Sequence, residues 1–114
     1  MDYSSIDYSV LKKCALFRGV PAKDIRDALD NTPHYIKYFE KEKTIFHLMD
    51  PADRIGIVLE GSIQAQKSFS NGRRMNVSVR IPGELIGAAA VFSASRKYPC
   101  DMVTLDPVTV LVFK

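Results

Sequence analysis

After Pro33, apolar residues recur at every second position in short runs separated by turn-forming residues. A period of two is the pattern of β-strands, whose successive side chains point to opposite faces of a sheet. Such runs cover residues 35–39, 44–48, 54–60, 62–69, 74–81, 101–105 and 108–113. Short strands at this spacing predict a mainly β fold, a sandwich or barrel of the jelly-roll type.

The residues before Pro33 predict two short helices. Ser9 is a candidate N-cap for a first helix ending near residue 16, and Pro21 stands at the start of a second. Helical spacing places apolar residues on one face of each helix. These residues are Val10, Cys14 and Phe17 in the first helix and Ile25, Ala28 and Leu29 in the second.

A hairpin is predicted around Asn71-Gly72, a pair that favours a two-residue turn in which both residues have positive φ. The following strand, residues 74–81, alternates strictly between apolar and polar side chains. We expect its apolar members to face the core and its polar members to face solvent. The predicted inward set is Met75, Val77, Val79 and Ile81, and the predicted outward set is Asn76, Ser78 and Arg80.

Composition limits the class of protein. The 114 residues fit one domain, and the net charge of +3 is too small and too scattered to indicate nucleic-acid binding. No apolar run approaches the roughly 20 residues that span a bilayer, and the N-terminal sequence MDYSSIDYSV is not a signal peptide. We therefore expect a cytoplasmic protein without a membrane partner, in which Cys14 and Cys100 are reduced.

The segments "GIVLEGSIQAQ" and "SNGRRMNVSVRIPGELIG", in this order after two short helices, resemble the Crp/Fnr family of bacterial transcription regulators. The resemblance is to their N-terminal cyclic-nucleotide-binding-like sensor domain and implies a double-stranded β-helix over residues 1–114. It also implies a homodimeric full-length regulator that meets DNA and RNA polymerase through parts outside this chain. The family's C-terminal dimerisation helix and DNA-binding domain are expected to be absent here.

In this resemblance the stretch "PGELIGAAAVFSASRKYPCD" corresponds to the family's phosphate-binding cassette. Nucleotide-binding members use a glutamate for the ribose hydroxyl and an arginine for the cyclic phosphate. Gly87 matches the family glycine, but Ala88 replaces the glutamate and Tyr98 replaces the arginine. We therefore expect an effector other than cyclic AMP or cyclic GMP held by the usual contacts.

The candidate effector pocket consists of Gly87, Ala88, Ala89, Ala90, Arg96, Lys97, Tyr98, Pro99 and Cys100. Two interpretations stand for the small residues, a backbone cradle for a ligand and tight packing of a short helix. Arg96 and Lys97 either attract an acidic ligand or belong to a solvated loop. A flap hairpin, Asn71, Gly72, Arg73 and Arg74, is expected over the pocket, with its arginines either solvated or in contact with polymerase or the DNA-binding domain.

The sequence contains no catalytic motif, and we expect neither an enzyme nor a bound cofactor. A metal-dependent cupin-type enzyme is an alternative, because cupins share a similar barrel and use closely spaced histidines. His34 and His47 lie 13 positions apart without a His-X-His motif, which predicts no metal site. A ligand-free interaction domain is a further alternative, which a pocket filled by side chains would favour.

Overall fold

The computed structural model describes residues 8–11, 13–14, 17–69 and 71–113 and shows a mainly β domain. Its short helices lie at the N-terminus and between two of the strands. The elements in chain order are α1 (Tyr8–Leu11), α2 (Ala22–Asp30), β1 (His34–Phe39), β2 (Thr44–Phe46), β3 (Ile55–Glu60), β4 (Ile63–Ser68), β5 (Arg74–Arg80), β6 (Leu85–Ile86), α3 (Ala88–Val91), β7 (Asp101–Thr104) and β8 (Val108–Phe113).

The strands form two four-stranded antiparallel sheets. The first sheet has the order β1-β8-β3-β6, and the second has the order β2-β7-β4-β5. Consecutive strands thus alternate between sheets except at the β4–β5 hairpin, as expected for a jelly roll. The predicted mainly β fold is confirmed, and the seven predicted strands begin and end within two residues of their predicted limits, whereas β6 was not predicted as a strand.

Strands β3 and β8 are buried on both faces because they lie between two apolar clusters. Val58 and Val110 face the second sheet, where they pack with Phe46, Ile63 and Met102. The alternate residues of the same strands face the N-terminal helices. That second cluster contains Leu11, Cys14, Ile25, Leu29, Ile57, Leu59 and Leu111.

The helices cover the outer face of the first sheet. Helix α2 begins after Pro21, whose carbonyl accepts hydrogen bonds from the amides of Asp24 and Ile25 at 3.0 and 3.1 Å. Ile25 and Leu29 are buried as predicted, whereas Ala28 is exposed, so the apolar face is narrower than expected. Lys12 and residues 15–16 of the predicted first helix lie outside the described residues.

The predicted orientation of β5 is wrong. Met75, Val77, Val79 and Ile81 are between 45% and 55% exposed, and we call them the outer stripe. Arg80 pairs with the fully buried Ile63, and paired residues of antiparallel strands point to the same side of a sheet. The side chain of Arg80 therefore points into the barrel, on the side predicted for the valines.

The predicted β4–β5 hairpin is present, but its turn differs from the expected one. The strands end at Ser68 and resume at Arg74, and only Gly72 of the two predicted turn residues has a positive φ, of 84°. The Asn71 side-chain oxygen instead accepts a hydrogen bond from the Arg73 amide at 3.0 Å. The Phe69 amide donates to the Arg73 carbonyl at 2.9 Å, which closes a longer loop than the two-residue turn predicted from Asn-Gly.

Candidate functional site

A cavity of about 290 Å³ lies between the inner face of the second sheet and the segment that runs from β6 to β7. Its lining is largely apolar and contains small side chains on one side. The lining residues are Ala65, Arg80, Leu85, Gly87, Ala88, Ala89, Ala90, Tyr98, Pro99, Cys100 and Met102. The interior of the barrel is thus not filled by side chains, which disfavours the ligand-free alternative.

Gly87 forms the turn that leads from β6 into α3. Its φ of 82° is a conformation that residues with a Cβ rarely adopt. A Cβ added there would lie 2.9 Å from the Arg54 carbonyl oxygen and 3.0 Å from the Phe46 ring. Glycine is therefore required for both the turn and the close approach, which brings the small residues of α3 to the cavity wall.

Tyr98 is held in place by both its ring and its hydroxyl group. Only 4% of the residue is exposed, and its ring stacks on Phe46 with centroids 4.5 Å apart and planes 4° apart. The hydroxyl donates a hydrogen bond to the Arg54 carbonyl at 3.0 Å and accepts one from the Arg54 amide at 3.2 Å. Burial raises the pKa of the Tyr98 phenol, so the group is neutral at physiological pH.

The backbone of Tyr98 is fixed as well. Its amide donates to the Asp50 carbonyl at 3.1 Å, and its carbonyl accepts from the Met49 amide at 2.8 Å. Its ring also borders a second, more polar groove of about 330 Å³, which includes His47, Asp53 and Arg54. Tyr98 therefore separates the cavity from the polar groove, and its hydroxyl is hydrogen-bonded to the Arg54 backbone.

Sequence reasoning missed four of the lining residues, Ala65, Leu85, Met102 and the charged Arg80. Besides Arg80 itself, its row on the inner face of the second sheet contains Ile63 and Thr104, which are 0% and 1% exposed. The alternation of the strand showed two faces but not which one points inward. Ser78 and Arg80 at alternate positions were the available signal, since such a face can line a polar pocket; a register shift between Ser78 and Asn76 keeps Arg74 off this face.

Cys100 lies beside Arg80 in the cavity and is half-buried. Burial raises the pKa of the Cys100 thiol, while the positive charge of Arg80 acts in the opposite direction. The thiol is therefore protonated at neutral pH and is a weak nucleophile. Cys14, by contrast, is 1% exposed within the helix-covered cluster, which confirms its predicted role as a core residue.

The structure separates the remaining predicted residues from the cavity lining. Arg96 and Lys97 are exposed, and the Arg96 carbonyl accepts a hydrogen bond from the Ala52 amide at 2.8 Å. Asn71, Gly72, Arg73 and Arg74 form the exposed end of the hairpin, where Arg74 donates to the Gln66 side chain at 3.1 Å. Seven of the nine predicted pocket residues line the cavity, and the other two, Arg96 and Lys97, do not.

Metal-ligand chemistry finds little support in the described part of the chain. His34 belongs to the first sheet, whereas His47 follows β2 of the second sheet. Among residues 8–11, 13–14, 17–69 and 71–113, no group of three His, Cys, Asp or Glu side chains is placed to hold a metal ion. No helix within these ranges is long and apolar enough to cross a membrane.

Comparison with protein families identifies the domain. The family model described as "Cyclic nucleotide-binding domain" matches residues 36–114, which include the whole cavity. The chain belongs to the cyclic nucleotide-binding domain family. Relatives of this cyclic nucleotide-binding domain include the transcriptional regulatory protein btr of Bordetella pertussis, 28% identical over 96 residues. These residues are 84% of this chain and 38% of that protein, so the chain spans well under half of its relative.

Solved structures show the same fold. The N-terminal domain of a transcriptional regulator from Streptomyces coelicolor superposes with a TM-score of 0.77 at 24% identity, covering 91% of this chain and 71% of that one. The regulatory domain of Toxoplasma gondii PKA, solved with cAMP, gives a TM-score of 0.75 at 16% identity over 92% and 39% of the two chains. Together with the family match and the regulator btr, this confirms the predicted resemblance to Crp/Fnr-type regulators.

Proposed function

We propose that this cyclic nucleotide-binding domain is the effector-sensing, non-catalytic part of a cytoplasmic Crp/Fnr-type transcription regulator. Its effector is a small molecule that does not use the contacts by which nucleotide-binding relatives hold cyclic AMP or cyclic GMP. The regulator would act as a homodimer, and contact with DNA and RNA polymerase would come from the full-length protein. The family match and the regulator relatives support this proposal.

The observation that carries the proposal is the environment of Tyr98. At the position where the resemblance expects a phosphate-binding arginine, the chain has a neutral side chain whose hydroxyl already bonds to the Arg54 backbone. At the position of the ribose-binding glutamate, Ala88 lines the cavity with a methyl group. A lost charged contact costs about 1.5–3 kcal/mol, or roughly 10- to 150-fold in affinity.

Calorimetric titration with cyclic AMP and cyclic GMP tests this proposal. We expect no micromolar binding, with the Toxoplasma gondii PKA regulatory domain as the positive control for the cyclic AMP titration. The Ala88→Glu, Tyr98→Arg double variant asks whether restoring the two side chains restores affinity for the nucleotide. A one-to-one isotherm with a micromolar Kd for the unmodified chain would contradict the proposal.

Mass spectrometry of the protein as purified from its host cells tests the effector itself. Under native conditions we expect a bound small molecule with a mass other than that of a cyclic nucleotide. The Ala88→Leu variant, which places a larger side chain at the cavity and leaves the contacts of Tyr98 intact, should lose this molecule. Copurification of cyclic AMP or cyclic GMP would refute the proposal directly.

A further inference from the structure

Arg80 places a cation on the inner face of the barrel. Its backbone partner in β4 is Ile63, and Ile63 in turn pairs with Thr104 of β7. Both partners are buried, and all three residues share one face of the sheet. Arg80 itself is half-buried, so its side chain borders the cavity while remaining partly in contact with solvent.

No side chain of the described residues pairs with this arginine. The ion pairs found within residues 8–11, 13–14, 17–69 and 71–113 are formed by His47 with Asp50 and by Arg54 with Asp53. Asp101, a carboxylate near Cys100, accepts a hydrogen bond from the Leu48 amide at 2.6 Å. The guanidinium of Arg80 is therefore left with its donors available at the cavity.

Apart from Arg80, the cavity offers an apolar surface. Ala65, Leu85, Ala88, Ala90 and Met102 supply hydrocarbon, and among the described residues no other charged side chain lines the space. Lys67 lies outside this lining, although its charge acts more weakly than that of Arg80 on the thiol of Cys100. The volume of about 290 Å³ is roughly twice that of a cavity of about 150 Å³ that holds benzene. A ligand that fits has one small ring with a short substituent, or a chain of comparable size.

The number of cations limits the anionic group of this ligand. A phosphate monoester carries nearly two negative charges at neutral pH and needs more than one cationic partner. A carboxylate carries one charge, and its two oxygens match the two parallel N–H groups of a guanidinium. One arginine thus fits a singly charged anion. A cyclic phosphate also carries one charge, but the ribose and base attached to it need polar partners that the otherwise apolar lining does not supply, which favours a monocarboxylate.

We infer that the cavity binds a small apolar monocarboxylic acid whose carboxylate pairs with Arg80. This inference rests on the proposed effector-sensing function and names the class of its effector. The apolar part of the acid would lie against the alanines of α3 and Met102. Tyr98 would form part of the wall, without contributing a polar contact, because its hydroxyl is bonded to Arg54.

Titration of the full chain with benzoate and hexanoate, each compared with its neutral amide, tests the inference. At pH 7 both acids are ionised, and benzamide and hexanamide keep the shape without the charge. We expect at least one acid to bind about tenfold or more tightly than its amide, since that is the lower range for a charged hydrogen bond. NMR shift changes should lie on Ala88, Ala89, Ala90 and Cys100.

The Arg80→Gln variant should lose the preference for the acid, whereas Arg80→Lys should keep part of it. Arg18→Gln, the same change at an exposed site away from the cavity, should bind as the unmodified protein does. Equal binding of acid and amide, or unchanged acid binding by Arg80→Gln, would overturn the inference. So would the absence of binding by both acids at millimolar concentration.

Failure of this inference and failure of the proposed function give different results. If neither acid binds and cyclic AMP does not bind either, the carboxylate class is wrong while a non-nucleotide effector stands. If cyclic AMP binds with micromolar affinity, the proposed function itself is wrong. The nucleotide titration therefore belongs in the same series as the acids.

Discussion

Removal of the Tyr98 side chain should strongly destabilise the domain, because this side chain stabilises the fold as well as bordering the cavity. The residue is 4% exposed and stacks on Phe46, and its hydroxyl bonds to both backbone polar groups of Arg54. Tyr98→Ala deletes all of these contacts, whereas Tyr98→Phe deletes only those of the hydroxyl. The pair of variants thus separates the packing of the ring from its hydrogen bonds.

The magnitude follows from the contacts. Truncating a buried aromatic residue to alanine costs about 3–5 kcal/mol, and the loss of a stacked partner ring adds about 0.5–1.5 kcal/mol. Tyr98→Phe leaves the Arg54 amide and carbonyl without their partner. The polar groove beside Tyr98 and Arg54 lets water replace the hydroxyl, so we expect a cost of about 1 kcal/mol.

Urea unfolding followed by far-UV circular dichroism measures these differences, because the chain has no tryptophan to report by fluorescence. The midpoint should fall strongly for Tyr98→Ala and slightly for Tyr98→Phe, with the slope unchanged. Tyr38→Ala is the matched control, since Tyr38 is 60% exposed and its loss should cost within about 0.5 kcal/mol. A Tyr98→Ala variant as stable as this control would refute the structural role of Tyr98.

Three further outcomes are expected. Burial raises the pKa of Tyr98 above the ordinary tyrosine value of 10. The contribution of the neutral phenol to the free energy of unfolding should therefore be complete below pH 10 and be lost as pH rises through the higher folded-state pKa. Tyr98→Phe should remove this part of the pH dependence when urea unfolding is measured at a series of pH values. We expect the exposed outer stripe to promote self-association at high concentration, so Val77→Thr with Val79→Thr should lower the average mass in sedimentation runs, and an equal mass for the two proteins would contradict this expectation. Arg80→Gln should slow alkylation of Cys100 at pH 8, because it removes a cation that lowers the thiol pKa, and faster alkylation would contradict their placement.

The fold was largely predictable because its strands carry a period of two and its turns carry recognisable residues. The prediction worked best for β3 and β8, whose apolar residues are buried whichever way they point. It failed for β5, which among the described residues has a sheet neighbour on one side only and no layer over its outer stripe. A period of two shows only that the side chains of a strand alternate between two faces. Which face points toward the core depends on which one the rest of the chain covers.

The candidate site was predictable only in part. The cassette stretch is continuous in sequence, so the resemblance could assign Gly87, Ala88 and Tyr98 without knowledge of the fold. Arg80 lies in β5, outside this stretch, and it reaches the cavity only because of the register in which β5 pairs with β4. The stacking of Tyr98 on Phe46 joins positions 52 residues apart and leaves no local signal in the sequence.

The cation of the cavity, Arg80, and the residue at the family's arginine position, Tyr98, therefore lie in different elements of this domain. Tyr98 stands where the resemblance expects the arginine, but it belongs to the scaffold, since ring and hydroxyl both bind protein groups. The positive charge comes instead from β5, on a different wall of the cavity. A ligand anchored by Arg80 would thus take another orientation from a nucleotide held at position 98. For the same reason, Tyr98→Arg would remove a structural contact while adding a second cation, and its loss of stability must be measured before any change in affinity is interpreted.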